Sequence, residues 1–170
     1  DFEMHTIDLS DANQLFQIAK KCEAASPPDI LVNCAGGFRF LNTNQIKDQD
    51  VEFLVRSNFL SSLQLSRAFV PGMKSRKHGH IVFVGAAAAL NPTAGMGLYT
   101  ATKAALHAWA IALADELKND GVSIHTVMPT ILDTPANRKD MPNADFTQWI
   151  KTDDLAEQIY SFTQKPMRSL

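Results

Sequence analysis

Short apolar runs alternate with long amphipathic stretches along the chain, and this alternation constrains the fold more than any other feature. The short runs carry apolar side chains at successive positions, which is typical of parallel strands covered on both faces. The longer stretches place apolar residues at helical spacing. Predicted strands cover residues 2–9, 29–33, 80–84 and 122–128, and predicted helices cover residues 11–24, 48–73, 97–118 and 153–163. The β-α-β-α-β-α-β-α order predicts an α/β fold, a parallel sheet with helices on both faces.

Local signals refine the ends of these elements. Ser10 is expected to cap the first helix. Pro71-Gly72 is expected to loosen the end of the second helix, and residues 135–146, which contain two prolines, are expected to be irregular. No repeat or linker divides the 170 residues, so the sequence predicts one domain over residues 1–170.

The composition argues against several function classes. A net charge of −2 argues against nucleic-acid binding by bulk charge. Apolar runs stay short of the roughly eighteen residues that a membrane span requires. Two cysteines, Cys22 and Cys34, are too few for a disulfide framework, so a reducing, cytoplasmic location is expected. The five histidines lack the spacing of a metal site, so no metal is expected.

In a parallel sheet with right-handed crossovers, ligands bind at the carboxyl ends of the strands. The residues that follow each predicted strand are therefore the first candidates for a site. They are Asp8, residues 33–37, residues 85–90 and residues 129–134.

Tyr99 and Lys103 lie four residues apart on a predicted helix, so they share one face. A lysine ammonium beside a phenol favours the phenolate and lowers the phenol pKa from about 10. A tyrosine with a lowered pKa can exchange a proton near neutral pH. An isolated pair at this spacing is also typical of an exposed helix surface, so the pair alone does not establish a site.

Several motifs occur with this pair in a fixed order: Asn33-Cys-Ala-Gly36 after a buried strand, Asn58 in the next helix, and Pro129 to Thr134 after a later strand. Together they resemble the short-chain dehydrogenase/reductase family over nearly the whole chain. The resemblance implies a Rossmann-type doubly wound parallel sheet that binds NAD or NADP. It also implies transfer of a hydride between that cofactor and a small-molecule substrate.

The resemblance also implies roles for individual residues. Tyr99 would be the acid/base, Lys103 would bind the nicotinamide ribose and lower the Tyr99 pKa, and Asn58 would hold a water that relays protons to Lys103. Asp8 would meet the adenine, and Asn33, Ala35 and Gly36 would line the adenosine ribose. Pro129 to Thr134 would cover the carboxamide and pyrophosphate. The implied cofactor-binding set is Asp8, Leu9, Asn33, Ala35, Gly36, Tyr99, Lys103, Pro129, Leu132 and Thr134.

Most of these residues also have a structural interpretation. Asn58 could bond a neighbouring carbonyl, and Asn33 could brace a turn. Asp8 could share the capping of the first helix with Ser10, and Pro129 could simply end a strand.

One departure from the family pattern is Ala86, which stands where the family usually places a serine thirteen residues before the tyrosine. A methyl group cannot donate a hydrogen bond to a substrate carbonyl, and losing such a donor costs about 10²- to 10³-fold in rate. Either the enzyme is impaired, or Thr93 or Asn91 substitutes, or the substrate has no carbonyl.

Dihydropteridine reductases of this family lack the serine and reduce a quinonoid dihydropterin with NADH. Several segments resemble them, namely residues 35–38, 85–90, 93–96, 132–139 and 141–146, with Trp149.

The second departure is the glycine-rich phosphate turn of the family, which is absent. The first two strands of the family's sheet are also missing, and its last strand is expected to be cut off at Leu170. The chain is therefore interpreted as a single partial dinucleotide-binding domain, either of a longer natural protein or of an inactive truncation.

The leading hypothesis is an NAD(P)-dependent oxidoreductase, with a quinonoid dihydropterin as one candidate substrate. One alternative is a carbonyl or alcohol oxidoreductase in which another donor replaces the serine. A second alternative is a non-catalytic relative that acts as a binding subunit. The resemblance further implies a homodimer or homotetramer that pairs through its two long helices.

Overall fold

The computed structural model describes residues 3–164, and its central feature is a parallel sheet of three strands. These are β1 (Ile30–Asn33), β2 (Gly79–Val84) and β3 (Val122–Val127), in the order β1-β2-β3. Val82 in the central strand lies opposite Val32 on one side and His125 on the other. The predicted α/β class with a parallel sheet is confirmed.

The helices connect and cover these strands. They are α1 (Ala12–Ala25), α2 (Asp48–Val55), α3 (Ser61–Arg76), α4 (Gly97–Leu117), α5 (Pro135–Asp140) and α6 (Thr152–Thr163). A second, small parallel sheet joins β4 (Leu132–Asp133) to β5 (Ile150–Lys151).

Alternate side chains of β2 point to opposite faces of the sheet, and each face has its own core. Ile81 and Phe83 are fully buried in a cluster with residues of α3 and α4. Val82, on the opposite face, packs with Val127 and with Leu155 of α6. Helices therefore cover both faces, as the near-continuous apolar strands predict.

The chain before α1 differs from the prediction of a strand over residues 2–9. Phe2 lies outside the described residues, and residues 3–8 form no strand. A strand needs a hydrogen-bonded neighbour, and the described part of the chain pairs no strand with this segment. The cap of α1 also differs, because the Asp11 carboxylate, and not Ser10, accepts hydrogen bonds from the Asn13 and Gln14 backbone N–H groups at 2.8 and 3.2 Å.

The long second helix is interrupted and then extended relative to the prediction of residues 48–73. A π-helical turn, Arg56–Leu60, separates α2 from α3. The helix then runs through Pro71 to Arg76 and ends where Lys77 adopts a left-handed conformation with φ of 56°. The expectation that Pro71-Gly72 loosens the helix end is wrong, because the helix continues beyond both residues.

Part of the segment expected to be irregular is ordered. Pro135 begins α5, which suits its fixed φ. Thr134 caps this helix, its Oγ1 accepting from the Asn137 backbone N–H at 3.2 Å. Leu170, where a strand of the family's sheet was expected to be cut off, lies outside the described residues. Among residues 3–164 no helix has the length and apolar character needed to cross a membrane.

Candidate functional site

The segments that follow the three strands of the main sheet meet at its carboxyl edge. The Gly85 N–H donates to the Val127 carbonyl at 2.8 Å, and the Ala87 N–H donates to the Pro129 carbonyl at 3.0 Å. These bonds tie the chain after β2 to the chain after β3. The edge where a ligand site is expected is therefore bounded by residues 85–87 and 127–129, which we call the ledge.

Lys103 of α4 is buried at this edge, with 4% of its surface exposed. Its Nζ donates to the Val84 carbonyl at 2.8 Å. Burial disfavours the ammonium and lowers the pKa of Lys103 to about 8. A Cβ added to Gly36 would lie 3.2 Å from both Lys103 Nζ and Asn58 Oδ1. Lys103 and Asn58 therefore both border the Gly36 backbone, and a side chain there would crowd both groups.

Asn58 is fully buried and lies in the π-helical turn between α2 and α3. Its Oδ1 accepts from the Gly37 N–H at 2.8 Å, and its Nδ2 donates to the Gly37 carbonyl at 3.0 Å. Nδ2 also donates to Thr102 Oγ1 at 2.9 Å, and that hydroxyl donates to the Tyr99 carbonyl at 2.7 Å. Asn58 therefore joins the chain after β1 to the first turns of α4.

Sequence reasoning missed two features of this link. One is the π turn, which widens the helix locally and is frequent at functional sites. The other is Thr102, a buried hydroxyl between Tyr99 and Lys103. The sequence signal for Thr102 was its place directly before the lysine on the same helix.

Tyr99 lies one helical turn before Lys103, and its ring meets the ring of Phe38. The ring centroids are 4.9 Å apart and the planes are inclined at 81°, an edge contact. Burial raises the pKa of Tyr99 above its ordinary value. In this structure the Lys103 ammonium binds the Val84 carbonyl and burial sets the direction of the Tyr99 pKa, so the lowering of this pKa by Lys103 stays a prediction. The phenol is protonated at neutral pH.

Asn33 closes the lower part of the site with 3% of its surface exposed. Its Nδ2 donates to Ser62 Oγ at 2.7 Å, and its Oδ1 accepts from the Ala35 N–H at 3.0 Å. These are the bonds of a residue that braces the turn after β1, as its structural interpretation predicts.

A cavity of about 290 Å³ lies beside this turn, and three of the predicted cofactor residues line it. These three are Asp8, Leu9 and Ala35. The Asp8 carboxylate accepts from the Ser10 N–H at 2.8 Å and the Ser10 hydroxyl at 2.7 Å, and it pairs with Arg56 at 2.7 Å. The Ser10 hydroxyl, with a smaller effect from Arg56, holds the pKa of Asp8 below its usual range. Arg56 is a further lining residue that the sequence analysis did not identify.

The predicted residues after β3 form a separate group. The Pro129 carbonyl accepts from Ala87, the Leu132 carbonyl accepts from Asn137 Nδ2 at 2.8 Å, and Thr134 caps α5. Within the described chain, no hydrogen bond joins these three residues to Tyr99, Lys103 or Asn58. The structure thus brings together the residues around Gly36 and those around the cavity, and gives residues 129–134 no direct bond to either group.

Ala86 lies on the same ledge with 5% of its surface exposed. The two residues considered as replacement donors, Asn91 and Thr93, are exposed in the loop before α4. The Thr93 hydroxyl lies 3.3 Å from Met96 Sδ, a weak acceptor. Across residues 3–164 no group of three His, Cys, Asp or Glu side chains could hold a metal ion.

Comparisons with known proteins agree with this geometry. A family model described as short chain dehydrogenase matches residues 1–145. The chain is 30% identical over 165 residues to 2,3-dihydro-2,3-dihydroxybenzoate dehydrogenase of Escherichia coli, covering 96% of this chain and 63% of that protein. It is 34% identical over 167 residues to dihydropteridine reductase of Dictyostelium discoideum, covering 93% of this chain and 69% of that protein.

A solved structure is also similar, that of a metagenomic short-chain oxidoreductase in complex with NADP. The TM-score is 0.77 and the identity is 27%, over 96% of this chain and 67% of that one. The chain spans less than two thirds of the length of the E. coli relative. The family model matches residues 1–145, and the two alignments include 96% and 93% of this chain. The chain therefore belongs to the short-chain dehydrogenase family.

Proposed function

We propose that this chain carries the reaction centre of an NAD(P)-dependent oxidoreductase. The observation that carries the proposal is the arrangement around Gly36. A buried lysine with a lowered pKa and a fully buried asparagine border this glycine, and Tyr99 lies one helical turn from the lysine. Buried titratable groups with shifted pKa values at the carboxyl edge of a parallel sheet are typical of reaction centres.

The residues present fit a nicotinamide nucleotide, either NAD or NADP. Gly36 has no side chain, so a ligand can approach the Lys103 ammonium and the backbone closely. The cavity lined by Asp8, Leu9 and Ala35 lies beside the same turn, because Ala35 directly precedes Gly36. The similar metagenomic oxidoreductase was solved in complex with NADP. A bound nicotinamide would supply the hydride.

The proposed roles of the side chains follow from their protonation. Tyr99 is protonated at neutral pH because burial raises its pKa, so it can give its proton to the substrate atom adjacent to the one that receives the hydride. Lys103, with a pKa of about 8, still carries its charge at pH 7. An ammonium one turn away would stabilise the phenolate that remains after the transfer. The role of Asn58 as holder of a relay water stays a prediction.

For the substrate, we propose a quinonoid dihydropterin with NADH as donor. The buried methyl of Ala86 offers no hydrogen bond to a carbonyl, and a conjugated imine-like ring has no carbonyl at its reacting bond. The 34% identity to the Dictyostelium dihydropteridine reductase supports this choice.

A carbonyl or alcohol oxidoreductase is the second candidate. The exposed Thr93 hydroxyl in the loop before α4 favours it, since its weak contact with Met96 leaves it able to turn to a substrate oxygen. The 30% identity to the E. coli dehydrogenase is consistent with it.

We also propose that the protein assembles as a homodimer or homotetramer through α3 and α4. A shallow groove of about 140 Å³ between these helices is lined by Val70, Pro71 and Trp109, among others. Ile111 on the same helix as Trp109 is 59% exposed.

A cytoplasmic location is proposed because Cys22 and Cys34 are free thiols.

The test is the substitution Tyr99→Phe, assayed for NADH- and NADPH-dependent reduction of quinonoid dihydropterin and of simple ketones. We expect kcat to fall by about 10²- to 10⁴-fold, the usual contribution of a positioned acid or base, with nucleotide affinity little changed. Unchanged turnover in the variant would reject the role of Tyr99. Nucleotide binding without any turnover in the unsubstituted protein would instead favour a non-catalytic binding subunit.

A further inference from the structure

Residues 37–41, which we call the Phe38 strap, cross the mouth of the site between the chain after β1 and the loop before α4. Gly37 is fixed at one end by two hydrogen bonds with Asn58, at 2.8 and 3.0 Å. A Cβ at Gly37 would lie 2.4 Å from Phe53 Cζ. The strap therefore starts at a residue that is hydrogen-bonded to Asn58 and packed against the Phe53 ring.

The other end of the strap is fixed at Gly95. The Leu41 N–H donates to the Gly95 carbonyl at 2.7 Å. The Phe40 ring covers Gly95 so closely that a Cβ there would lie 2.3 Å from Phe40 Cζ. Gly95 has φ of 78°, a conformation that glycine adopts without strain. The two ends of the strap thus each depend on a glycine: Gly37 leaves room for the Phe53 ring, and Gly95 leaves room for the Phe40 ring.

The middle of the strap places Phe38 edge-on against Tyr99, with ring centroids 4.9 Å apart. Arg39 supports this placement, because its Nη1 donates to the Phe38 carbonyl at 3.0 Å and its guanidinium stacks on Phe53 at 4.4 Å from the ring centroid. Phe38 itself is 49% exposed, so its ring covers Tyr99 without being part of the protein core.

We propose that Phe38 is a positioning residue for Tyr99, and that the strap anchored at Asn58 and Gly95 exists to hold its ring there. The inference rests on the proposed role of Tyr99 as proton donor. Edge contacts between aromatic rings have a preferred geometry, so a fixed Phe38 restricts the tilt of the phenol. The same ring keeps water from one side of the phenol and so contributes to the burial that raises the pKa of Tyr99.

The experiment measures the Tyr99 titration directly and does not need activity. The chain has two tyrosines, and Tyr160 is 63% exposed, so a Tyr160→Phe background leaves Tyr99 as the single phenol followed by ultraviolet absorption. In this background Phe38→Ala should move the Tyr99 pKa down toward the ordinary value of about 10. Phe38→Trp, which keeps an aromatic edge, should restore the raised pKa. Phe16→Leu on α1, another partly exposed phenylalanine at 41%, is the matched control and should change nothing.

The strap itself is tested by Gly95→Ala, whose methyl group would displace the Phe40 ring. We expect it to lower the Tyr99 pKa in the same direction as Phe38→Ala, with the melting temperature showing that both variants fold. Kinetics give a second readout, in which Phe38→Ala lowers kcat about tenfold and leaves KM for the substrate within about twofold.

An unchanged Tyr99 titration in Phe38→Ala would overturn the proposal, and so would a change confined to KM, which would make Phe38 a substrate contact. If the unsubstituted protein shows no turnover, the proposed function fails while the titration still decides the role of Phe38. A pKa shift in Phe38→Ala that is reversed by Phe38→Trp supports the positioning role in either case.

Discussion

The floor and the rim of the candidate site are built in opposite ways. The floor, Asn33, Asn58 and Lys103, is 3%, 0% and 4% exposed, and each of its side chains makes hydrogen bonds to named partners. The rim, by which we mean the exposed apolar residues Phe38, Phe40 and Leu90 in the segments that follow β1 and β2, is 49%, 63% and 61% exposed. The floor is thus arranged before any ligand arrives, which is the requirement for groups that act on developing charge. Because the rim buries little apolar surface, we expect substitutions there to change the stability of the fold little.

Within the floor, burial of the Lys103 ammonium lowers the stability of the fold. Lowering the pKa of Lys103 from 10.5 to about 8 corresponds to about 3 kcal/mol of unfavourable burial of the ammonium at neutral pH. No such penalty applies to the apolar core on the same helix, where Leu106, Leu113 and Leu117 are buried at 3% exposure or less. The N-terminal part of α4 therefore supplies residues of the candidate site, and its C-terminal part packs in the apolar core and stabilises the fold.

The largest expected effect is that of Lys103→Met, which removes the buried charge. We expect kcat to fall by about 10³-fold, as for loss of a group that assists proton transfer. We also expect the free energy of unfolding at pH 7 to rise by about 1 to 3 kcal/mol, because the desolvation cost disappears while one hydrogen bond to Val84 is lost. Urea denaturation and steady-state kinetics on the same preparation measure both changes.

Lys20→Met on the exposed part of α1 is the control and should change neither quantity. A Lys103→Met variant that is both inactive and less stable would mean that the ammonium is a net structural contribution, contrary to its lowered pKa.

The alkaline pH dependence of stability has a defined sign. The folded pKa of Lys103, about 8, lies below the unfolded value of 10.5, so the unfolded chain binds more protons in this interval. The Lys103 contribution to stability therefore rises with pH from about 8 to 10.5, by up to about 3 kcal/mol. The difference in unfolding free energy between the unsubstituted protein and Lys103→Met should shrink over this range. A constant difference would show that the ammonium is not buried.

Asn58→Ala should destabilise the fold by about 2 kcal/mol, because it leaves the Gly37 N–H and carbonyl and the Thr102 hydroxyl without this partner. Asn44→Ala, in an exposed turn, should change the free energy of unfolding by less than about 0.5 kcal/mol. Both effects are measured by urea denaturation. Equal effects of the two substitutions would contradict the interpretation of Asn58 as a hydrogen-bonded residue of the floor.

Ala86→Ser tests a residue that belongs to neither floor nor rim, since Ala86 is buried and lies on the ledge. If the protein reduces a dihydropterin, we expect a change of less than about threefold in kcat for that substrate. If it reduces carbonyl compounds, the added donor should raise ketone turnover by about tenfold or more. Assaying both substrates with both proteins decides between the two candidate functions.

The smallest effect is expected at the rim. Leu90→Ser should change the free energy of unfolding by less than about 0.5 kcal/mol, because the side chain is 61% exposed. Any effect should be confined to KM for the substrate. A loss of more than about 1 kcal/mol in thermal or urea unfolding would show that the rim is part of the core.

The sequence pattern predicted what depends on periodicity and on strand order. Strands β2 and β3 and helix α4 agree with their predicted bounds within one residue, because buried runs and helical spacing are local signals. The carboxyl edge of the sheet also followed from topology. The residues brought together around Gly36 were among those predicted.

The remaining features depend on tertiary contacts, which the hydrophobic periodicity of the sequence does not predict. The π turn at Asn58 is a local widening of the helix that the apolar spacing did not indicate. The direction of the Tyr99 pKa depends on burial, and the burial of Tyr99 includes contacts with residues outside its own helix, such as Phe38. The segment 3–8 has strand-like residues, yet strand formation also requires a partner.

Binding of a nicotinamide nucleotide at Gly36 tests the proposed site most directly. NADH and NADPH are titrated into the protein, and energy transfer from its two tryptophans to the bound nucleotide is followed. We expect saturable binding of at least one nucleotide to the unsubstituted protein and to Tyr99→Phe, and none to Gly36→Val, whose side chain would crowd Lys103 and Asn58. Absence of saturable binding to the unsubstituted protein, or binding that Gly36→Val leaves intact, would contradict the site.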